Sequence, residues 1–267
     1  MASYSVSVAP MMDWTDKHCR YFYRLLSQYT RLYTEMITSK AILKGDKNRL
    51  LDYNVIEHPL VLQIGGSDPV EMAACAVIAK QWGYDEVNIN VGCPSERVLS
   101  GSFGACLMKE PDLVASCVES MIEACDIPVS VKSRIGIDEM ESYEQLGDFV
   151  YRIHKKGCQH FIIHARKAWL QGLSPKQNRT IPPLNYPWVY QIKKDFPRLK
   201  ITINGGITST KEVLNHLKKV DGVMLGRAIY NRPYTLTEID RHVFGFNDAV
   251  KPREEIVVEY MKYIETQ

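Results

Sequence analysis

Glu86-Val87-Asn88-Ile89-Asn90 is the stretch on which the fold turns. Polar and apolar side chains alternate along it without a break, the period of an extended strand whose successive residues face opposite sides. Val87 and Ile89 share one side, Asn88 and Asn90 the other. Burying an amide without a partner costs roughly 2–7 kcal/mol, so a polar face this regular has to meet other polar groups. Four further strand-like segments end in the same way: Val61 and Gln63, Ser130 and Lys132, Ile162 and His164, Thr202 and Asn204 each share one parity. The opposite parity, Val131, Phe161, Ile163, Ile201 and Ile203 with Val87 and Ile89, is apolar and suits packing under helices. Polar tips at successive strand ends are the mark of a rim, and in a closed parallel barrel that rim is the C-terminal face, where active sites sit.

Outward from this stretch, eight β-rich segments recur: Val6–Ala9, Leu32–Thr34, Leu60–Gln63, Glu86–Asn90, Val129–Lys132, Phe161–His164, Ile201–Asn204 and Gly222–Leu225. Stretches with helical spacing lie between them, among them Pro69–Gln81, Asp112–Ala124 and Tyr143–Lys156. Eight strand–helix units in about 225 residues match a (β/α)8 TIM barrel of the α/β class, whereas an open doubly wound sheet normally has fewer strands. The barrel is expected over residues 1–235. From 236 to 267 the sequence reads as a linker, marked by Asn231-Arg232-Pro233 and by Asp248 to Pro252, and then a helix from Arg253 to Ile264. That helix places Ile256, Val257, Tyr260 and Ile264 toward one side and calls for a partner surface.

Composition narrows the function. The net charge of +2 is too small for a protein that coats nucleic acid with its whole surface, so any RNA contact is local. Seven cysteines without a CxxC pair fit neither a disulfide framework nor a zinc ribbon and point to a reducing, cytoplasmic setting without a metal. No apolar run approaches the ~20 residues that span a bilayer, so no membrane partner is expected, and a monomer is.

The glycines come late. Asn204-Gly205-Gly206 follows the seventh strand and Gly226-Arg227 the eighth, the two places where such barrels commonly hold a phosphate on backbone N–H groups. Gly-Gly by itself also shapes ordinary turns; two such loops at these positions favour phosphate, with Arg227 as a cation. Neither GxGxxG after a first strand nor GxxxxGK[ST] is present. Cys93 lies just past the fourth strand, between Gly92 and Pro94, at the rim. Thiols keep their proton at neutral pH and so can protonate an enolate-like carbon, or act as nucleophiles. Cys106, in a glycine-containing loop, is the second candidate, while Cys75, Cys117, Cys125 and Cys158 read as small buried hydrophobes. Lys132 and His164, with Gln63, face the same mouth and can donate to carbonyl oxygens or to the N1–C2=O edge of a flavin. His58, His154, His160 and His216 read as surface or structural. Arg166, Lys167, Lys176 and Arg179, with Trp169, form a basic loop suited to phosphate and stacking contacts with RNA, although composition alone fits a solvated charged loop as well.

Taken in order, Ala9-Pro10-Met11, Gln63, Asn90-Val91-Gly92-Cys93-Pro94, Lys132 with Arg134, His164-Ala165-Arg166, Asn204-Gly205-Gly206 and Gly226-Arg227 resemble the tRNA-dihydrouridine synthases. Leu173 to Arg179 and Ile181 to Leu184 resemble the A-type branch. The resemblance implies bound FMN contacted by Ala9, Pro10, Met11, Gln63, Lys132 and His164, with its phosphate at Asn204, Gly205, Gly206, Gly226 and Arg227, and NADPH as reductant. It implies hydride transfer from flavin N5 to C6 of a uridine in the tRNA D-loop, at positions 20 and 20a, with Cys93 protonating C5. Asn90, Lys132, His164 and Arg166 would orient the base, and Lys176 and Arg179 would meet the tRNA. The helix at 253–264 would open a C-terminal helical tRNA-binding domain, incomplete in this chain. Three other readings compete: a flavin-dependent reductase of a free pyrimidine, as in dihydroorotate dehydrogenases; a non-catalytic flavin-containing tRNA binder; and a phosphosugar aldolase with Lys132 as the Schiff base.

Overall fold

The computed structural model describes residues 5–96, 98, 101–246 and 251–267. Nine strand segments form one parallel sheet: β1 (Ser5–Val8), β2 (Leu32–Tyr33), β3 (Ile37–Thr38), β4 (Leu60–Gly65), β5 (Glu86–Val91), β6 (Val129–Arg134), β7 (His160–His164), β8 (Lys200–Asn204) and β9 (Gly222–Leu225). They run in the order β1-β9-β8-β7-β6-β5-β4-β2, with β3 also on β4. The ring closes between β1 and the entry to β2, where Arg31 N donates to Val6 O and Val8 N to Arg31 O, both at 3.0 Å. β2 and β3 are one stave with a bulge. Four steps from Tyr33 to Ile37 oppose three from Val61 to Ile64, so one residue is extra and the chain kinks at Thr34–Met36. The barrel therefore has the eight staves expected.

The alternation holds around the ring. Ala9, Tyr33, Val61, Ile162 and Met224 make a small apolar plug inside the barrel, separate from the main core that Val87, Ile89, Val131, Phe161, Ile163, Ile201 and Ile203 form under the helices. Below the plug, Glu86 meets Arg31 at 3.0 Å and His160 at 3.3 Å, accepts from Ser130 Oγ, and His160 in turn bonds Thr202 at 3.0 Å. Burial pushes the Glu86 carboxyl up, but His160, Arg31 and Ser130 outweigh it and hold it at about 2. Above the plug lie the polar tips that make the site.

The outer layer is α1 (Lys17–Leu26), α2 (Ser39–Lys44), α3 (Lys47–Leu51), α4 (Pro69–Gln81), α5 (Pro111–Ala124), α6 (Tyr143–Lys155), α7 (Tyr186–Asp195), α8 (Thr210–Leu217), α9 (Arg227–Asn231), α10 (Thr235–Val243) and α11 (Arg253–Ile264). The ends of α4 are set locally: Asp68 accepts from the N–H groups of Val70 and Glu71, and Pro69 occupies the first turn, where its missing donor costs nothing. One departure from the sequence reading is α10, a helix inside the segment read as linker. It buries Leu236 and Ile239 against α1 and α8, and Asp240 accepts from Gln28 N at 2.7 Å. A second concerns the C-terminal helix. It docks on α1 through Ile256, Tyr260 and Tyr263, with Tyr263 stacked 3.6 Å from Tyr21, while Val257 and Ile264 are exposed.

Candidate active site

At the C-terminal ends of the strands the polar tips bond to one another before they meet anything else. Gln63 Nε2 donates to Asn88 Oδ1 at 2.8 Å, Asn88 Nδ2 to Ser130 Oγ at 2.9 Å, and Asn90 Nδ2 to Gln63 Oε1 at 2.9 Å. This ladder fixes three amides across three staves and meets the cost of burying them. Asn90 then uses its oxygen on the next loop, accepting from Gly92 N at 3.1 Å and Cys93 N at 3.0 Å. The carboxamide expected to orient a base therefore holds the thiol loop in place. Cys93 is half-buried, with Sγ 3.5 Å from Ser95 Oγ.

Opposite the thiol, Lys132 Nζ has one hydrogen-bond partner among the described residues, Asn204 Oδ1 at 3.3 Å, and Asn204 is itself held by its donation to Met224 O at 2.8 Å. Burial and the neighbouring Arg134 bring the Lys132 ammonium down to about 8, with Cys93 pulling weakly the other way. Burial, with Arg134, Lys132, Arg166 and Arg227 around it, drives the His164 imidazolium well below its ordinary range, so the ring is neutral at pH 7. Its Nδ1 is buried and makes no hydrogen bond to any described residue. Arg134, which ends β6, donates to Gly92 O at 3.2 Å and to Asn178 O at 2.8 Å. One guanidinium thus joins the thiol loop to the basic loop after β7. Buried Asn178 anchors that loop from within, binding Trp169 N and O and Leu173 O.

These groups open into one cleft of about 1200 Å³. Its lining includes Ala9, Pro10, Met11, Gln63, Asn90, Cys93, Lys132, His164, Arg179, Asn204, Gly205, Gly206, Gly226 and Arg227, thus all but two of the site residues expected from sequence. Arg166 and Lys176 are the exceptions. The Arg166 guanidinium donates to Pro182 O, turning away from the mouth to brace the loop. Cys106 does not reach the cleft either; its Sγ lies 3.1 Å from Phe103 O. Cys75, Cys117 and Cys158 are buried, Cys125 partly so. His160 and His216 are structural, in the barrel floor and against Tyr190.

Several lining residues were not foreseen. Glu35 reaches the mouth because of the bulge in the second stave, where it accepts from Trp14 N at 3.1 Å, and burial raises its carboxyl pKa. Trp14 stacks on Tyr230 with ring centroids 4.3 Å apart. Thr38, Arg49 and Leu50 extend the cleft sideways onto α2 and α3. Nothing in a two-residue strand announces a bulge, although the Lys- and Arg-rich run from 40 to 49 was visible.

The glycine turns have the geometry a bound anion asks for. Gly205 and Gly206 have φ of 113° and 72°, open only to glycine without strain, and a Cβ on Gly206 would come 2.6 Å from Leu184. No side chain caps α9 after Gly226. Spare ammonium protons at Lys132, an imidazole Nδ1 with no partner among the described residues and two glycine turns suit a planar, oxygen-rich, phosphate-bearing group.

A closed barrel whose strand tips present a thiol, an ammonium and a neutral imidazole beside such turns defines a cofactor-dependent barrel enzyme. The chain belongs to the dihydrouridine synthase family, Dihydrouridine synthase (Dus), which it matches over residues 7–267. It is 59% identical over 263 residues to a protein of Vibrio parahaemolyticus, covering 98% of this chain and 80% of that one. It is 58% identical over 260 residues to one of Synechocystis, covering 97% and 78%. The identity to one of Escherichia coli strain K12 is 56% over 262 residues, covering 98% and 76%. All three relatives bear the name tRNA-dihydrouridine(20/20a) synthase. The enzyme class expected from the sequence is the class this family defines.

Proposed function

We propose that this chain reduces the C5–C6 double bond of uridines in the D-loop of tRNA, at positions 20 and 20a, with FMN held in the cleft and NADPH as the source of electrons. The observation that carries it is the convergence of Cys93, Lys132 and His164 on one cleft flanked by the Gly205-Gly206 and Gly226-Arg227 turns. FMN fits this donor set: its phosphate would take the two glycine turns and Arg227, and its ring would lie along Ala9, Pro10, Met11, Gln63, Lys132 and His164. When bound, it supplies hydride to C6 of the uracil.

The protein's own groups do the rest. Cys93 gives its proton to C5, and the thiolate left behind faces the Lys132 ammonium until solvent reprotonates it. Asn90 and Arg134 keep the Sγ aimed by holding the Gly92–Cys93 turn through its two N–H groups and the Gly92 carbonyl. Neutral His164 can donate from one ring nitrogen while accepting at the other, and Lys132 stabilises negative charge on a carbonyl oxygen. A uridine stacked in a folded D-loop must leave its stack to reach this depth; Arg179, lining the cleft, would meet the RNA backbone, with Lys176 on the same loop, while Arg166 braces that loop from within.

The test is direct. Purified protein should show a flavin absorption band and, with NADPH and unmodified tRNA, should form dihydrouridine at adjacent D-loop positions. Reduction of free uracil or orotate without RNA would replace this function with that of a free-pyrimidine reductase. A colourless protein would end both.

A further inference from the structure

A second basic surface faces the cleft from the side away from the loop after β7. Residues 39–51 carry Lys40, Lys44, Lys47 and Arg49 against one acid, Asp46, a net charge of +3 where the whole chain has +2. Lys40, Lys44 and Arg49 are exposed. Among the described residues none of the four has a carboxylate within ion-pairing distance, whereas Lys17 nearby is paired with Asp52 at 2.6 Å. Asp46, already counted in that balance, forms no ion pair with them; its carboxylate accepts from the backbone N–H groups of Asn48 and Arg49. The patch is continuous with the site: Thr38, Ala41, Arg49 and Leu50 line the same cleft as Cys93 and Lys132.

The topology says what this surface faces. The 39–51 segment follows the second stave and the 165–184 loop follows the sixth; in a ring of eight these are diametrically opposed. A strand that drops one base into the mouth leaves the phosphates before and after that base on opposite rims. One rim offers Arg179 and its loop, the other Arg49, Lys40 and Lys44.

Building on the function proposed above, we infer that residues 39–51 form a second RNA-backbone grip, binding the phosphodiesters on the side of the extruded uridine opposite the 165–184 loop. Backbone contacts of this kind position the strand without reading its sequence. They act on affinity and its salt dependence, leaving the chemical step alone.

The experiment compares wild type with Lys40→Glu/Lys44→Glu/Arg49→Glu, using an unmodified tRNA transcript across a salt series. The variant is expected to bind tRNA at least ten-fold more weakly at low salt. Its plot of log affinity against log salt should be shallower by about 2, from roughly 0.7 for each cation removed from a single-stranded contact. KM for tRNA should rise while kcat at saturation and flavin content hold. Lys40→Gln/Lys44→Gln/Arg49→Gln, which removes charge without reversing it, should shift in the same direction by less. Lys218→Glu/Lys219→Glu, beyond the far end of α8, should change neither slope nor KM. Wild-type slope and KM in both rim variants, with wild type forming dihydrouridine normally, would overturn the grip alone. A wild-type protein that forms no dihydrouridine in tRNA would overturn the proposed function and the grip together.

Discussion

At the scale of single residues, the proposed function separates the group that gives a proton from the groups that aim it. On that reading Cys93 supplies the proton, and a positioned general acid contributes on the order of 10²–10⁴ in rate. Cys93→Ala should therefore lose dihydrouridine formation by at least about 10²-fold while the flavin band and tRNA affinity persist; retained turnover in a single-turnover assay would remove Cys93 from its role. Lys132 makes a different prediction, because its ammonium is destabilised where it sits. It titrates near about 8 in the folded protein and near ~10.4 in an unfolded chain. Between those values the unfolded chain holds the extra proton, so stability rises with pH through this window and the full cost is present below it. Flavin-free Lys132→Met should melt above wild type at pH 7, and the advantage should shrink as the pH approaches ~10. Thermal melts at the two pH values decide it; a variant that melts lower at pH 7 would show that the Asn204 contact outweighs the desolvation.

Elements decide which of these residues meet. The staves were legible because a period of two is written directly into Glu86–Asn90, and the same parity in five strands gave the inward set, Gln63 to Asn204, without tertiary information. The C-terminal helix was legible from Pro252 before its first turn. Glu35 was hidden because a bulge depends on register with β4, which a two-residue strand does not encode. α10 was missed although Leu236, Ile239 and Val243 carry a helical spacing right after Pro233; the punctuation around it read more strongly than the period. Arg166 shows another limit: composition marks a basic loop but cannot say which of its cations turns inward to brace it. That loop's order rests on Asn178, so Asn178→Ala should speed proteolytic cleavage between 166 and 182 and raise KM for tRNA with flavin content intact. Loss of a buried amide's partners costs about 1–3 kcal/mol, enough to loosen a loop without unfolding a barrel. An unchanged digestion pattern would count against the anchor.

Across the whole molecule, an ionic floor and the polar mouth lie at two depths of the barrel, joined through Ser130, which accepts from Asn88 and donates to Glu86. The floor matters for stability. Glu86 is held near about 2 by His160, Arg31 and Ser130, so its contribution is fully present above the ordinary carboxylate range, near 4.5, and is lost as pH falls through about 2. Glu86→Gln should cost a few kcal/mol at pH 7, because the Arg31 guanidinium and the Ser130 hydroxyl lose the carboxylate they face, and the gap from wild type should close as the pH nears 2. Urea unfolding at a series of pH values checks both statements; a pH-independent gap would mean that packing, and not charge, is what Glu86 supplies. The apolar plug of Ala9, Tyr33, Val61, Ile162 and Met224 has one more effect. It leaves the reaction chamber a single doorway, so on the proposed function the nicotinamide and the nucleotide cannot enter from opposite ends. The two guests share one approach, so an excess of either should slow the arrival of the other.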